Sequence, residues 1–172
     1  MHPFAARRGR APLLATALLA AVLLLAPPSH AAGPSQTILR ALNAVRAEHG
    51  VPPLHADRRL ARAAHAHSAD MVMRHYFAHE SRSGERPCER VARTGWLRGR
   101  GRWWVGENLA WGIKHRGRPQ AIVAAWLASP PHRRVMLRSR YRAVGIGVVR
   151  GTPWSPRGWT YTADFGAGSL AM

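Results

Sequence analysis

The chain has 172 residues, of which 47% are hydrophobic, so it can build one ordinary core but not two. Its formal net charge of +18 comes almost wholly from arginine, because Lys114 is the only lysine. No helix-turn-helix, RNA-recognition or zinc-ribbon spacing is present, and the arginines are not interleaved with aromatic residues. We therefore expect no specific nucleic-acid binding. The excess of arginine fits either attraction to anionic polymers or the codon bias of a GC-rich genome.

The first 31 residues have the pattern of a cleaved signal peptide. Arg7, Arg8 and Arg10 precede an apolar run from Leu13 to Ala26, and "PPSHAA" offers small residues for cleavage after Ala31. The apolar run is shorter than the roughly 20 residues of a membrane-spanning helix, so no retained anchor is expected. Cleavage would leave a net charge of about +15. We expect a secreted or periplasmic monomer with a linker at 32–36 and one domain at 37–168.

Three helices are predicted in the first half of that domain. Ile38, Leu42 and Val45 recur at helical spacing after Thr37, and Gly50 is placed to end this helix. Asp57 is a good N-cap for a second helix over 58–74. Pro87 opens a short third helix that ends near Arg93, before Gly95. Cys88 is the only cysteine, so it has no partner for an internal disulfide bond.

The second half is predicted to end in a pair of strands. Residues 95–119 are rich in glycine and are expected to be irregular around a short extended piece. A helix follows over 119–128, and a helical turn covers 132–137. "AVGIGVV" and "WTYTADFG" are typical of strands joined in an antiparallel hairpin. Helices first and strands last indicate an α+β domain.

Most of the ten histidines are assigned no function, but three short segments have unusual local settings. His65 and His67 are two residues apart on a helix, so one is expected to be buried and the other exposed. The three segments are "FAHES" with His79, "GENLAWG" with Glu107 and "SPPHRR" with His132. Each is weak evidence alone, because a histidine beside aromatic residues is more often structural than catalytic.

The order of these segments resembles the CAP superfamily: cysteine-rich secretory proteins, antigen 5 and plant pathogenesis-related 1 proteins. The resemblance is to its bacterial, disulfide-free, SCP-like branch and runs from about Ile38 to Gly166. It is carried by "LNAVRAEHGVPPL", "LARAAHAHSADM", "YFAHES", "GENLAWG", "AAWLASPPHRRVML" and "YRAVGIGVV…WTYTADFG". It implies an α-β-α sandwich with a small antiparallel sheet.

The resemblance also implies a pocket of two histidines and two acidic residues that holds a divalent metal in some members. His79 matches the first histidine, Glu107 the first acid and His132 the second histidine, while the second acid falls on Ser129. The cavity set is therefore His79, Glu107, Ser129 and His132, with His79 and His132 as the candidate ligands of a divalent cation such as zinc. A serine hydroxyl is a poor fourth ligand, so the expected affinity is modest.

Ala163 is a second departure from the family pattern, after Ser129, because bacterial members commonly have glutamine at this position. Asp164 is adjacent to it and is expected to face the other side of the strand, away from this pocket. A triad of Ser129, His132 and Asp164 is an alternative, but no nucleophile elbow surrounds Ser129. Asn43, Arg46 and Asn108 are expected to hold loops to the sheet.

Three functions remain open from the sequence. The first is an exported protein that binds an extracellular or envelope ligand, such as a lipid, a glycan or an anionic polymer, with weak metal binding as support. The second is a metal-dependent hydrolase, a peptidase or wall-polymer enzyme, that uses Glu107 as base. The third is a stress-related structural or defence factor. Ser129 replaces the second acid of the four-residue pocket, and this departure favours binding over catalysis.

Most tryptophans are predicted to pack in the core or a cavity wall, and Trp103 with Trp104 is the pair that could contact a glycan or lipid.

Overall fold

The computed structural model describes residues 33–170, so the predicted signal peptide lies outside the described residues. Within this range, five α-helices and four strands form the domain. The helices are α1 Pro34–Glu48, α2 Arg58–Met73, α3 Pro87–Arg93, α4 Pro119–Ala128 and α5 Pro130–Met136. The strands are β1 His55–Ala56, β2 Arg100–Gly112, β3 Ala143–Thr152 and β4 Ser155–Leu170. No helix within 33–170 is long and apolar enough to cross a membrane.

An N-capping aspartate and several prolines set the starts of the helices. Asp57 caps α2 by accepting hydrogen bonds from the backbone N–H groups of Arg59 and Leu60. Pro34, Pro87, Pro119 and Pro130 each open a helix, a position where the missing N–H costs nothing. Helix α1 starts at Pro34, inside the segment expected to be a linker and three residues before Thr37.

The sheet has the strand order β1-β3-β4-β2. The predicted hairpin is confirmed, because β3 pairs antiparallel with β4 from Ala143 opposite Gly166 to Thr152 opposite Ser155. The two-residue strand β1 pairs parallel with β3, so the sheet is mixed rather than antiparallel throughout. The expectation of irregular chain over 95–119 is wrong, since Arg100–Gly112 forms a full strand against β4.

Each face of the sheet carries its own core. The face toward α1, α4 and α5 is filled by Ile38, Leu42, Ile122, Val123, Trp126, Met136, Val144, Tyr161, Ala163 and Phe165, all buried. The opposite face packs against α2 and α3 through Leu60, Ala63, Val91, Trp96 and Ala143. The chain is thus an α+β sandwich with helices on both faces of a small sheet, as the sequence predicts.

Two glycines let α2 lie directly on β3. A Cβ atom at Gly145 would overlap the backbone of Leu60 and Ala61, and one at Gly147 would overlap the backbone of Ala64. Only hydrogen atoms fit at these two positions, and the close approach brings α2 over the middle of the sheet. That packing fixes the end of α2 and the loop after it, which carries His79.

The buried side chain of Arg46 ties α1 to the segment that precedes β3. Its guanidinium group donates to the carbonyl oxygens of Pro52 at 2.8 Å, Met136 at 2.6 Å, Arg138 at 3.3 Å and Tyr141 at 3.0 Å. Asn43 pairs with both backbone groups of Leu54. The prediction that Asn43 and Arg46 hold loops is confirmed.

Candidate functional site

Glu107 lies in the middle of the edge strand β2, on the face that packs against α2 and α3. Its side chain is only 1% exposed. The Oε1 atom lies 2.7 Å from Nδ1 of His79, and the Oε2 atom lies 2.6 Å from a guanidinium nitrogen of Arg90. Both carboxylate oxygens are therefore engaged. A buried carboxylate needs such partners, because an unpaired charge in the interior is strongly unfavourable.

Arg90 on α3 is the cation that holds this carboxylate in the interior. Its side chain is 2% exposed. Besides Glu107, it donates to the carbonyl oxygens of His79 at 2.9 Å and Glu85 at 2.8 Å, and to Oγ of Ser81 at 3.2 Å. One guanidinium group thus fixes both the buried acid and the loop that carries His79. The sequence alone did not single out this residue.

His79 presents an imidazole ring to solvent. Its side chain is 56% exposed, although Nδ1 is hydrogen-bonded to the buried Glu107. A carboxylate can only accept, so Nδ1 carries the hydrogen that is donated to Oε1. In the neutral ring, Nε2 is then an unprotonated acceptor on the exposed side. The pair displays one exposed nitrogen in a tautomer fixed from within the protein.

His132 is close enough to His79 for the two rings to interact electrostatically. Burial, followed by the positive charge of His79, lowers the pKa of His132. Its Nδ1 atom lies 2.9 Å from Oγ of Ser129, the N-cap of α5, and its carbonyl oxygen accepts a 3.1 Å hydrogen bond from Asn108 of β2. Asn108 is the neighbour of Glu107, so α5 is tied to the strand next to the acid, and the loop-holding role expected for Asn108 is confirmed.

The residues do not fit a resident metal ion. Structural and catalytic zinc sites use three or four protein ligands. Within residues 33–170, no group of three or more His, Cys, Asp or Glu side chains could hold a metal. Each oxygen of Glu107 already accepts a hydrogen bond, from His79 or from Arg90, and the hydroxyl group of Ser129 is bound to His132. What the site offers is a pair of imidazole rings that make hydrogen bonds.

Asp164 lies opposite Glu107 in the pairing of β2 with β4, so the two side chains share one face of the sheet. The expectation that Asp164 faces away from the pocket is wrong; Ala163 is the residue that faces the α1 and α4 core. Asp164 is fully buried, and neither of its oxygens accepts a hydrogen bond from the described residues. Burial, together with the charge of Glu107, raises its pKa well above the usual range. Burial and the neighbouring carboxyl group of Glu107 thus favour the protonated form of Asp164.

The alternative triad is not formed. Ser129 and His132 are in contact, but the carboxyl group of Asp164 makes no hydrogen bond to His132 within the described chain. A triad needs an acid that orients the imidazole. The contact between Ser129 and His132 is instead a side-chain hydrogen bond within the first turn of α5.

The other histidines near the site are structural. His67 is 1% exposed and its Nε2 donates to the carbonyl oxygen of Ala78 at 2.9 Å, whereas His65 is exposed, as the sequence predicts. Burial is the main cause that lowers the pKa of His67, so this ring is neutral. His75 uses Nδ1 to bind the carbonyl oxygen of Pro153 at 2.8 Å. Neither ring adds a ligand to the site.

The tryptophans divide between the core and the surface. Trp126 is buried and donates to the carbonyl oxygen of Leu109, whereas Trp103 is 40% exposed. Trp104 is half-buried beneath the guanidinium group of Arg140, which lies 4.6 Å from the ring centroid. The side chains of the pair 103 and 104 therefore have different environments and do not form one exposed patch.

Comparison with known proteins identifies the family. Residues 39–165 match the CAP, or Cysteine-rich secretory protein, family. The chain belongs to this family. A relative in Bacillus subtilis (strain 168), Uncharacterized protein YkwD, is 31% identical over 129 residues, which cover 74% of this chain and 48% of the relative. Uncharacterized membrane protein YlbC of the same organism is 34% identical over 113 residues, 66% of this chain and 31% of the relative. The chain thus spans less than half the length of these curated relatives.

Solved structures share the fold. An extracellular protein containing an SCP domain from Bacillus anthracis aligns with a TM-score of 0.63 and 29% identity, over 77% of this chain and 40% of that one. An outer surface protein from Borrelia burgdorferi aligns with a TM-score of 0.66 and 19% identity, over 78% of this chain and 92% of that one. The α+β sandwich is therefore that of bacterial SCP domains.

Proposed function

We propose that this chain is an exported CAP-domain protein that binds an extracellular or envelope ligand through His79. The observation that carries the proposal is the chain of contacts from Arg90 through Glu107 to the exposed ring of His79. Purely structural ion pairs do not need an exposed member whose tautomer is fixed. A binding site does need this, because it must present a defined donor or acceptor to its ligand.

The ligand is expected to donate a hydrogen bond to Nε2 of His79. His132 lies beside this ring and its pKa is lowered, so a neutral imidazole adds a second polar contact without adding charge. The rigid elements below the rings are β2 and the first turn of α5, linked by the hydrogen bond from Asn108. Such support reduces the entropy that a ligand must remove on binding.

Export rests on two supporting observations. Residues 1–31 have the composition of a cleaved signal peptide. A related solved structure is described as an extracellular protein with an SCP domain. An envelope ligand also agrees with the arginine-rich composition, since cell envelopes are rich in polyanions.

A second candidate function, hydrolysis, is favoured by the same pair of residues. A histidine with Nδ1 held by a buried carboxylate and Nε2 exposed has the arrangement of a general base. We assign this role to His79 rather than to Glu107, because the Glu107 carboxylate is 1% exposed and already accepts hydrogen bonds from His79 and Arg90. If wall material is the substrate, His79→Ala should abolish release of soluble fragments by the purified protein.

Binding is tested by co-sedimentation with purified cell walls of Bacillus subtilis in about 0.15 M salt, which screens charges that are farther apart than about 8 Å. We expect His79→Ala to lower the affinity about tenfold or more, which corresponds to about 1.4 kcal/mol. His65→Ala is the matched control, because it removes an exposed histidine from the outer surface of α2.

The two variants separate site binding from general attraction to the wall. Wild-type affinity in His65→Ala, with the loss confined to His79→Ala, supports the site. Equal binding by His79→Ala and wild type would contradict the proposal. Thermal unfolding of both variants confirms that the fold is retained.

A further inference from the structure

Three aromatic side chains form an exposed cluster that the sequence does not bring together. Phe77 is 36% exposed, Trp111 42% and Trp154 62%. The ring centroids of Trp111 and Trp154 are 5.3 Å apart, and those of Phe77 and Trp154 are 6.4 Å apart. We call these three residues the aromatic cluster. Exposed aromatic side chains in contact with one another are typical of interaction surfaces.

The aromatic cluster lies on the same face of the sheet as the His79 site. Trp111 and Glu107 are four residues apart on β2, and the pairing of β2 with β4 is regular from Trp103 to Gly112. Residues an even number apart on a strand point to the same face, so these two side chains share it, with about 13 Å between their Cα atoms. Phe77 precedes His79 by two residues. The cluster and the site are therefore neighbouring parts of one surface.

The part of the chain that contributes Trp111 and Trp154 is rich in arginine and poor in acidic residues. Between Arg100 and Leu170 the only acidic residues are Glu107 and Asp164, and both are buried. Arg157 follows Trp154 by three residues and is exposed, whereas Arg150 pairs with Trp159 and therefore shares the opposite face of the sheet. Arg82 donates to the carbonyl oxygen of His75, close to Phe77 in sequence. Glu80, which follows His79, is the exposed acid nearest in sequence, but the net charge of +18 and the arginines at positions 82 and 157 still favour an anionic partner.

We propose that the aromatic cluster and His79 together bind an acidic polysaccharide chain. Sugar rings present an apolar face of C–H groups that packs on an indole or phenyl ring, while carboxylate or phosphate groups pair with the neighbouring arginines. The roughly 13 Å between Glu107 and Trp111 suits an oligosaccharide rather than a single sugar. This inference rests on the proposed function and names the ligand class of the same site.

The composition of the exposed surface favours a glycan over a lipid bilayer. In the described part of the chain, the exposed large hydrophobic residues are Met73, Phe77, Trp103, Trp111, Trp154 and Trp159, so aromatic rings dominate and no leucine or isoleucine is among them. Surfaces that enter a bilayer interface combine aromatic with aliphatic side chains. The polar ring of His79, next to the cluster, also suits hydroxyl groups better than acyl chains.

The test measures the dissociation constant of the full mature chain by titration calorimetry with three probes. These are a hexamer of galacturonic acid, the neutral hexamer chitohexaose, and vesicles of phosphatidylglycerol. The variants are Trp111→Ala, Trp154→Ala and His79→Ala. The matched control is Trp159→Ala, because Trp159 is 39% exposed but lies on the opposite face of the sheet, with Tyr161 and Ala163.

We expect the acidic hexamer to bind more tightly than the neutral one and than the vesicles. Each of Trp111→Ala and Trp154→Ala should weaken it about three- to tenfold, and Trp159→Ala should not. Three results would overturn the inference: wild-type affinity in both cluster variants, equal weakening in Trp159→Ala, or binding to the vesicles alone.

The variants also separate this inference from the proposed function. Loss in His79→Ala with full affinity in both cluster variants would overturn the polysaccharide surface and leave the His79 site intact. Loss in the cluster variants with full affinity in His79→Ala would contradict the proposed function, and it would restrict the polysaccharide to the aromatic cluster. That second result would overturn the joint site proposed here.

Discussion

Replacing Arg90 with methionine removes the charge that Glu107 faces and keeps a side chain of similar length. The ion pair is among the most buried in the described part of the chain, with exposures of 2% and 1%. Breaking a buried pair by removing one partner costs about 3–5 kcal/mol, because the remaining charge stays in the interior. For a domain of this size, that loss lowers the melting temperature by about 10–15 °C.

A neighbouring arginine provides the control. Arg93 lies three residues after Arg90 on α3 and pairs with Glu85 at 3.0 Å, but the two side chains are 67% and 21% exposed. Solvent-exposed pairs contribute about 0–1 kcal/mol, so Arg93→Met should be nearly neutral. Chemical denaturation of both variants gives the free energies of unfolding.

A double variant tests the cause of the loss. If the cost comes from the unpaired carboxylate, Glu107→Leu added to Arg90→Met should be more stable than Arg90→Met alone. A loss below about 1 kcal/mol in Arg90→Met, or no gain in the double variant, would refute the role given to this pair.

Further predictions concern Asp164, Arg46 and zinc. Because the pKa of Asp164 is raised in the folded state, its contribution to stability is present below the ordinary pKa of about 3.9 and is lost as pH rises toward the raised pKa. Asp164→Asn should therefore stabilise the protein at pH 7 and have little effect near pH 4; equal effects at both would contradict the raised pKa. Arg46→Met should cost at least about 3 kcal/mol in chemical denaturation, since four carbonyl oxygens lose their donor; a loss under about 1 kcal/mol would be contrary evidence. Zinc should shift the melting temperatures of wild type and His79→Ala equally. A shift confined to wild type would instead support a metal site that includes His79.

The local signals in the sequence predicted the helices well. The cap at Asp57 and the prolines at 87 and 119 set the starts of α2, α3 and α4. The strand β2 was not predicted, because "RGRWWVGENLAWG" has few signals of its own and becomes a strand by pairing with β4. Tertiary pairing overrides weak local propensity in such segments.

The candidate site was predicted only in part, for a similar reason. His79, Glu107 and His132 were found through the order of family segments, and the structure places His79 against Glu107. Arg90 was missed because nothing in "PCERVAR" tells it apart from Arg93 except which face of α3 is buried. Asp164 shares a face of the sheet with Glu107 because the two residues are paired across β2 and β4. The alternation of side chains within one strand does not reveal this pairing.

The arrangement of the aromatic residues shows the same limit. In the sequence they are scattered, and that scatter argued against a stacking surface. Folding brings Phe77, Trp111 and Trp154 into contact from three separate segments. Only the three-dimensional arrangement places them beside the site.

The most direct test of a binding site at His79 is nuclear magnetic resonance of histidine rings labelled with ¹⁵N, recorded while soluble fragments of bacterial cell wall are added. We predict that free His79 carries its hydrogen on Nδ1 and that Nε2 of this ring shifts as the fragments bind, while the ring of His65 does not. Binding of the fragments with no change at His79, or a free ring protonated on Nε2 alone, would contradict the site proposed for this protein.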